Sequence, residues 1–226
     1  MSRIDQAKPG RRDGGYARIF ADPDIGALIS RVHATSIRAG TELEHIIQRE
    51  AEANGTAITD LDKFLQYSGE GVFIADKKKI KKSKRINFPA AEPDYLIFQR
   101  THTTPHCYVL ELKDGDTFDT KKASGEISTL TSFSVNVGST LAYATSIRVC
   151  SFNQEDKQAI VEGFKGAVTI DQVWTGREFC ALMGFEFDTI VSERLADAQI
   201  NQTFLAQQLL NIPKMRTIII ELLESS

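Results

Sequence analysis

Long apolar runs are absent from this 226-residue chain, and none comes near the roughly eighteen consecutive residues that a membrane span needs. Cysteine is scarce: Cys107, Cys150 and Cys180 stand far apart, and Cys107 lies inside a core-like run, so neither disulfides nor a thiolate metal site is expected. No apolar leader opens the chain, which points to a reducing cytoplasm. No Gly-x-Gly-x-x-Gly or Walker A string occurs, which argues against a nucleotide cofactor. His102 and His106 are spaced four apart, but Thr103-Thr104-Pro105 between them is poor helix material, so zinc is not expected. The chain also lacks an overall positive charge, with a formal net charge of −3, so a polyanionic partner is permitted only if charge is segregated. What remains is a chain with 42% hydrophobic residues, enough to bury a sizeable core, read as one domain over residues 1–226.

Charge is in fact segregated. Lys77, Lys78, Lys79, Lys81, Lys82, Lys84 and Arg85 place seven basic side chains in nine residues. Such a run repels itself when free, and release of counter-ions from a polyanion would make its density favourable. These residues are therefore candidate phosphate contacts, which position a protein on nucleic acid without reading bases. A smaller cluster, Lys8-Pro9-Gly10-Arg11-Arg12, suggests a flexible arm over residues 1–15.

Just after the basic run come two apolar segments with charged residues set in them, Glu92-Pro93-Asp94-Tyr95-Leu96-Ile97-Phe98 and Cys107-Tyr108-Val109-Leu110-Glu111-Leu112-Lys113. Each is bounded by turn signals and reads as a short strand, the first opened by a proline of the kind tolerated there. Alternation puts Cys107, Val109, Glu111 and Lys113 on one face and Tyr108, Leu110 and Leu112 on the other. The polar link containing Pro105 suits an antiparallel hairpin, and a turn centred near Thr103 sets Asp94 opposite Glu111 or Lys113. Two neighbouring carboxylates repel unless neutralised, and Mg²⁺, with oxygen ligands at roughly 2.0–2.1 Å, neutralises them without His or Cys.

Pro93-Asp94, sixteen intervening residues, then Glu111-Leu112-Lys113 resembles the motif of the PD-(D/E)xK nuclease superfamily, and within it the type II restriction endonucleases. An amphipathic helix is expected upstream over 41–53, with Gly40-Thr41 as its start, Thr41 and Glu44 as a capping box, and Leu43, Ile46 and Ile47 facing a sheet. The resemblance covers roughly residues 40–152 and implies an α/β fold, a central mixed sheet flanked by helices. It implies that Asp94 and Glu111 hold Mg²⁺, that Glu44, or Glu50 in its place, stands beside the metal, and that water attacks a DNA phosphodiester in line. Lys113, favoured in its charged form beside two carboxylates, can contact the scissile phosphate or orient a water. After the Asp114-Gly115 turn the resemblance makes Lys121 and Lys122 candidate backbone contacts and lets Glu126 face the metal centre.

The function expected is Mg²⁺-dependent, site-specific cleavage of double-stranded DNA in a prokaryotic cytoplasm. One catalytic centre per chain and two strands to cut imply a two-fold homodimer. The alternatives are a repair or junction-resolving nuclease of the same superfamily and a non-catalytic DNA-binding module. Downstream, a strand is expected at 146–152, a helix at 155–164, a strand at 168–173 and a helix from Thr175 to Met183, then a largely helical tail. Asn136, Asn153, Gln154 and Arg177 carry groups suited to reading bases.

Overall fold

The computed structural model describes residues 2–8, 12–67, 69–86, 92–101, 105–115 and 120–225. Its elements in chain order are α1 (Arg3–Gln6), α2 (Gly15–Phe20), α3 (Pro23–Ala53), α4 (Leu61–Phe64), β1 (Gly71–Asp76), α5 (Lys77–Lys82), β2 (Tyr95–Arg100), β3 (His106–Lys113), α6 (Thr120–Thr140), β4 (Ala144–Ser151), α7 (Lys157–Gly163), a short 3₁₀ turn, β5 (Val173–Thr175), α8 (Gly176–Met183), α9 (Phe187–Leu195), α10 (Ala198–Asn211) and α11 (Pro213–Glu224). The chain divides into two compact units, one formed by Met1–Glu42 with Asp188–Ser226 and the other by Leu43–Phe187.

The unit Leu43–Phe187 is the α/β body. Its sheet runs β1-β2-β3-β4-β5, antiparallel from β1 to β3 and parallel from β3 to β5, so it is mixed as expected. A parallel neighbour needs a crossover, and α6 supplies it between β3 and β4. Ala123, Ile127, Leu130, Phe133 and Val137 recur at helical spacing on α6 and bury against Leu96, Phe98, Cys107, Val109, Ile147 and Val149. The opposite face meets α3: Leu43, Ile46, Ile47 and Ala51 are fully or almost fully buried, and the Tyr95 hydroxyl donates to the Glu44 carbonyl.

Two expectations need correction. Helix α3 does not begin at Gly40-Thr41; it begins at Pro23, where the Asp22 side chain accepts from the backbone N–H groups of Asp24 and Ile25 at 2.8 and 3.0 Å. Proline suits a first helical position, and Gly40 inside the helix costs only about 1 kcal/mol, too little to stop a long ladder. The strand expected at 168–173 is instead a 3₁₀ turn, Ile170–Gln172, closed by a Thr169/Gln172 capping box, with the strand following at Val173–Thr175. Strand β1 was not anticipated at all. By contrast α8 starts where expected, and a capping box of Thr175 with Glu178 opens it.

The other unit is helical, with Ile25, Leu28 and Ile212 packed beside Leu205, Leu209 and Met215. Within the stretch read as an arm, Ile4 and Ala7 are buried, the Ser2 hydroxyl donates to Asn201 at 2.8 Å, and Arg3 pairs with Glu42 and Asp197. Residues 9–11 lie outside the described residues. Among the described residues no helix is long and apolar enough to cross a membrane.

Candidate active site

The β2–β3 register pairs Tyr95 with Leu110, so Asp94, one residue earlier, stands at the position across from Glu111. Cross-strand partners share a face. The Asp94 side chain is fixed there because its Oδ2 accepts the backbone N–H of Leu112 at 3.0 Å. On the same side Lys113 Nζ donates to Glu111 Oε1 at 2.7 Å and lies 3.2 Å from Glu126 Oε2 on α6. The Asp94 and Glu111 side chains are only 19% and 17% exposed, so two acids share a largely dry corner at the end of the α6-covered face.

The electrostatics follow from that crowding. Burial pushes the Asp94 carboxyl up, against the pull of the Leu112 N–H, Lys113 and Lys77. Glu111 is pushed up by burial and then by the charge of Asp94, with Lys113 opposing. Burial works against the Lys113 ammonium, but Glu111 and Glu126 outweigh it and hold its pKa above the ordinary lysine value. Glu44 on α3 is raised by partial burial and by Asp94, which places it in the same field. Glu50 instead pairs with Arg49 at 2.9 Å. Of the two helix acids, the structure brings Glu44 toward Asp94.

Among the described residues no group of three or more His, Cys, Asp or Glu side chains is arranged to hold a metal. The pair Asp94 and Glu111 nevertheless fits a hard divalent cation. Both donors are carboxylate oxygens, both carry more proton affinity than usual, first because they are buried, and such ions often bind through one or two carboxylates while water and phosphate complete the shell.

Beside Asp94 runs a groove of about 410 Å³ lined by Glu44, His45, Gln48, Asp76, Tyr95 and three members of the basic run, Lys77, Lys78 and Lys81. The run is a helix, α5, where sequence suggested only a charged stretch. The Asp76 side chain caps it by accepting from the Lys79 N–H at 2.8 Å, and Ile80 is fully buried, which fixes its rotation. That rotation divides the lysines. Lys77 Nζ lies 4.0 Å from Asp94 Oδ1, whereas Lys79 pairs with Asp76, and Lys79, Lys82 and Lys84 line a different groove of about 440 Å³ with Thr59, Asp62 and Gln66. The larger groove holds none of the paired acids, so size does not mark the site here. Where α5 ends, Asp62 accepts from the Ser83 hydroxyl at 2.5 Å and the Lys84 N–H at 2.9 Å, clasping the chain; these bonds hold its carboxyl below the usual range. Arg85 is exposed, and its N–H donates to Ser83. The side chains of Lys121 and Lys122 lie outside the described residues, as does His102.

Sequence reasoning missed Asp76, His45 and Gln48 as groove residues, and Glu92, 3.6 Å from Lys81. Gln48 lies one helical turn after Glu44 and His45 is its neighbour, and Asp76 heads the basic run, which were the available signals. Three of the base-reading candidates are engaged locally through their side chains: Asn153 donates to Asp114, Gln154 accepts from Asp156 N–H, and Arg177 pairs with Glu155 over the Phe187 ring.

No family model and no solved structure matches the chain. It is 38% identical over 226 aligned residues, spanning 96% of this chain and 97% of the relative, to the type II restriction enzyme HhaII of Haemophilus parahaemolyticus. Identity of that level over nearly the whole of both chains settles the family: this protein belongs to the type II restriction enzymes.

Proposed function

We propose that the protein is a Mg²⁺-dependent, site-specific endonuclease of the PD-(D/E)xK superfamily that hydrolyses both strands of double-stranded DNA as a homodimer in a prokaryotic cytoplasm. The observation that carries this reading is the register that sets Asp94 across from Glu111, with Lys113 donating to Glu111 on the same side. Asp94 and Glu111 would hold the Mg²⁺, whose chemistry there is to make a bound water acidic and to offset charge gathering on phosphate oxygens. The chain's own residues do the rest. The Leu112 N–H holds Asp94 in place, the Lys113 ammonium presents a positive charge toward the phosphate, and Lys77, Lys78 and Lys81 hold neighbouring phosphates along the groove. Glu44 contributes a third carboxylate next to Asp94. Each chain carries one such centre, and two strands are to be cut, which a two-fold dimer accommodates.

Incubating the purified protein with a large unmethylated DNA and Mg²⁺ tests the reading. Discrete fragments, abolished by Asp94→Ala while DNA binding persists, are the expected result. A smear, or products that depend on DNA structure, means a repair or junction-resolving nuclease. Intact DNA means a binding module without catalysis.

A further inference from the structure

We propose that Glu126 is a positioning residue for Lys113, the anchor that keeps the ammonium in place once Glu111 is engaged by a divalent cation; this rests on the function proposed above. Lys113 Nζ is held by two carboxylates, Glu111 Oε1 at 2.7 Å and Glu126 Oε2 at 3.2 Å. The two anchors are not equivalent. Glu111 stands across the strand pair from Asp94 and is one of the two proposed metal ligands, so a cation bound there competes with the ammonium for its charge. Glu126 comes from a different element, α6, and is not one of the two proposed ligands.

The backbone at both ends of the Glu126 contact is held by packing or pairing. Ala123, Ile127 and Leu130 on α6 are buried around Glu126's position, and Lys113 closes β3 in register with Ser151 of β4, its carbonyl accepting the Phe152 N–H at 2.8 Å. A lysine stem is long and flexible and carries a point charge, so the ammonium has no fixed position unless something fixes it. With Glu111 shared, Glu126 supplies that fix. Positioning of this kind acts on the chemical step more than on DNA binding, because a misplacement of about 1 Å can cost on the order of 100-fold in rate.

The test uses the full-length protein with Glu126→Gln, which keeps an acceptor but no charge, and Glu126→Leu, which keeps neither. For Glu126→Leu, kcat on a DNA carrying the cleavage site is expected to fall by about 10- to 100-fold with KM for DNA unchanged, and Glu126→Gln falls between it and the native chain. DNA affinity in EDTA and Ca²⁺ affinity by calorimetry stay at the native level in both. In the Ca²⁺-bound state the ¹⁵N resonance of the Lys113 ammonium is sharp in the native chain and broadens in both variants. Native turnover by Glu126→Leu, a Ca²⁺ affinity that falls with either substitution, or an unchanged ammonium resonance overturns the proposal. The middle result would make Glu126 a metal ligand. If Glu126→Leu fails to fold, the near-isosteric Gln variant decides. A native chain that never cuts DNA removes the proposed function instead, and the ammonium resonance still reports on the anchor.

Discussion

Asp94 reaches across to the neighbouring strand and accepts the Leu112 N–H, the one backbone donor that lies between Glu111 and Lys113. The carboxylate is thereby held in register with both charged neighbours by a bond to main chain, which no side-chain rotation can move. Asparagine at this position retains an oxygen able to accept that N–H but loses the charge. Asp94→Asn is expected to keep the fold and DNA binding in EDTA while cleavage falls by about 1000-fold or more, roughly 4 kcal/mol of barrier. A variant that still cuts within a few-fold of the native rate would remove Asp94 from the reaction.

The acid pair also makes stability depend on pH in a defined direction. The carboxyls of Asp94 and Glu111 are raised in the folded chain, first by burial, so the folded state binds their protons more tightly than the unfolded state does. Through these two groups, stability is greatest in acid and declines as pH rises from the ordinary carboxylate range near about 4 through their raised folded values. A divalent cation relieves the same charge at high pH and competes with protons at low pH. Ca²⁺ is therefore expected to raise the melting temperature more at ~pH 8 than at ~pH 5, and Asp94→Asn should shrink that difference. Equal increments at both values would contradict a cation held by this pair.

The hairpin was legible because two apolar runs bounded by turn signals read as paired strands, with Asp94 opposite Glu111 or Lys113; it is the structure's register that selects Glu111. Glu44 was singled out through a pattern whose rationale differs from the structure, since Gly40 is helix interior and Thr41 caps nothing. The geometry that depends on distant contacts was not legible. A short apolar run such as Val72-Phe73-Ile74-Ala75 cannot be assigned to strand or helix by periodicity, and it becomes a strand by pairing with β2. The division of the lysines depends on the burial of Ile80, a tertiary fact, while a run of like charge by itself reads as solvated chain. Glu126 meets Lys113 only because α6 docks on the sheet.

The two lysine faces predict different losses. Replacing Lys77, Lys78 and Lys81 by Ala should lower DNA affinity, reduce the slope of log K against log salt by about one per lysine, and reduce cleavage at saturating DNA. The same change at Lys79, Lys82 and Lys84 should leave cleavage at saturating DNA intact. Indistinguishable triple variants would show that the helix's orientation is irrelevant to catalysis.

Ile80 should prove disproportionately important for a residue in so charged a setting. Its side chain is fully buried beneath a six-residue helix that is otherwise lysine, and Ile80→Ala is expected to cost about 2–5 kcal/mol in urea unfolding. DNA affinity should drop with it although no charge has been removed. A loss in stability below about 0.5 kcal/mol would mean the helix is not pegged there.

The clasp of Asp62 on Ser83 and Lys84 has a thermodynamic corollary. With its start capped by Asp76, its middle pegged by Ile80 and its exit tied by Asp62, the basic segment has its shape before any polyanion arrives. Little chain freedom is left to lose on contact, so association should be governed by displaced counter-ions and carry little of the heat-capacity change that accompanies folding on a template.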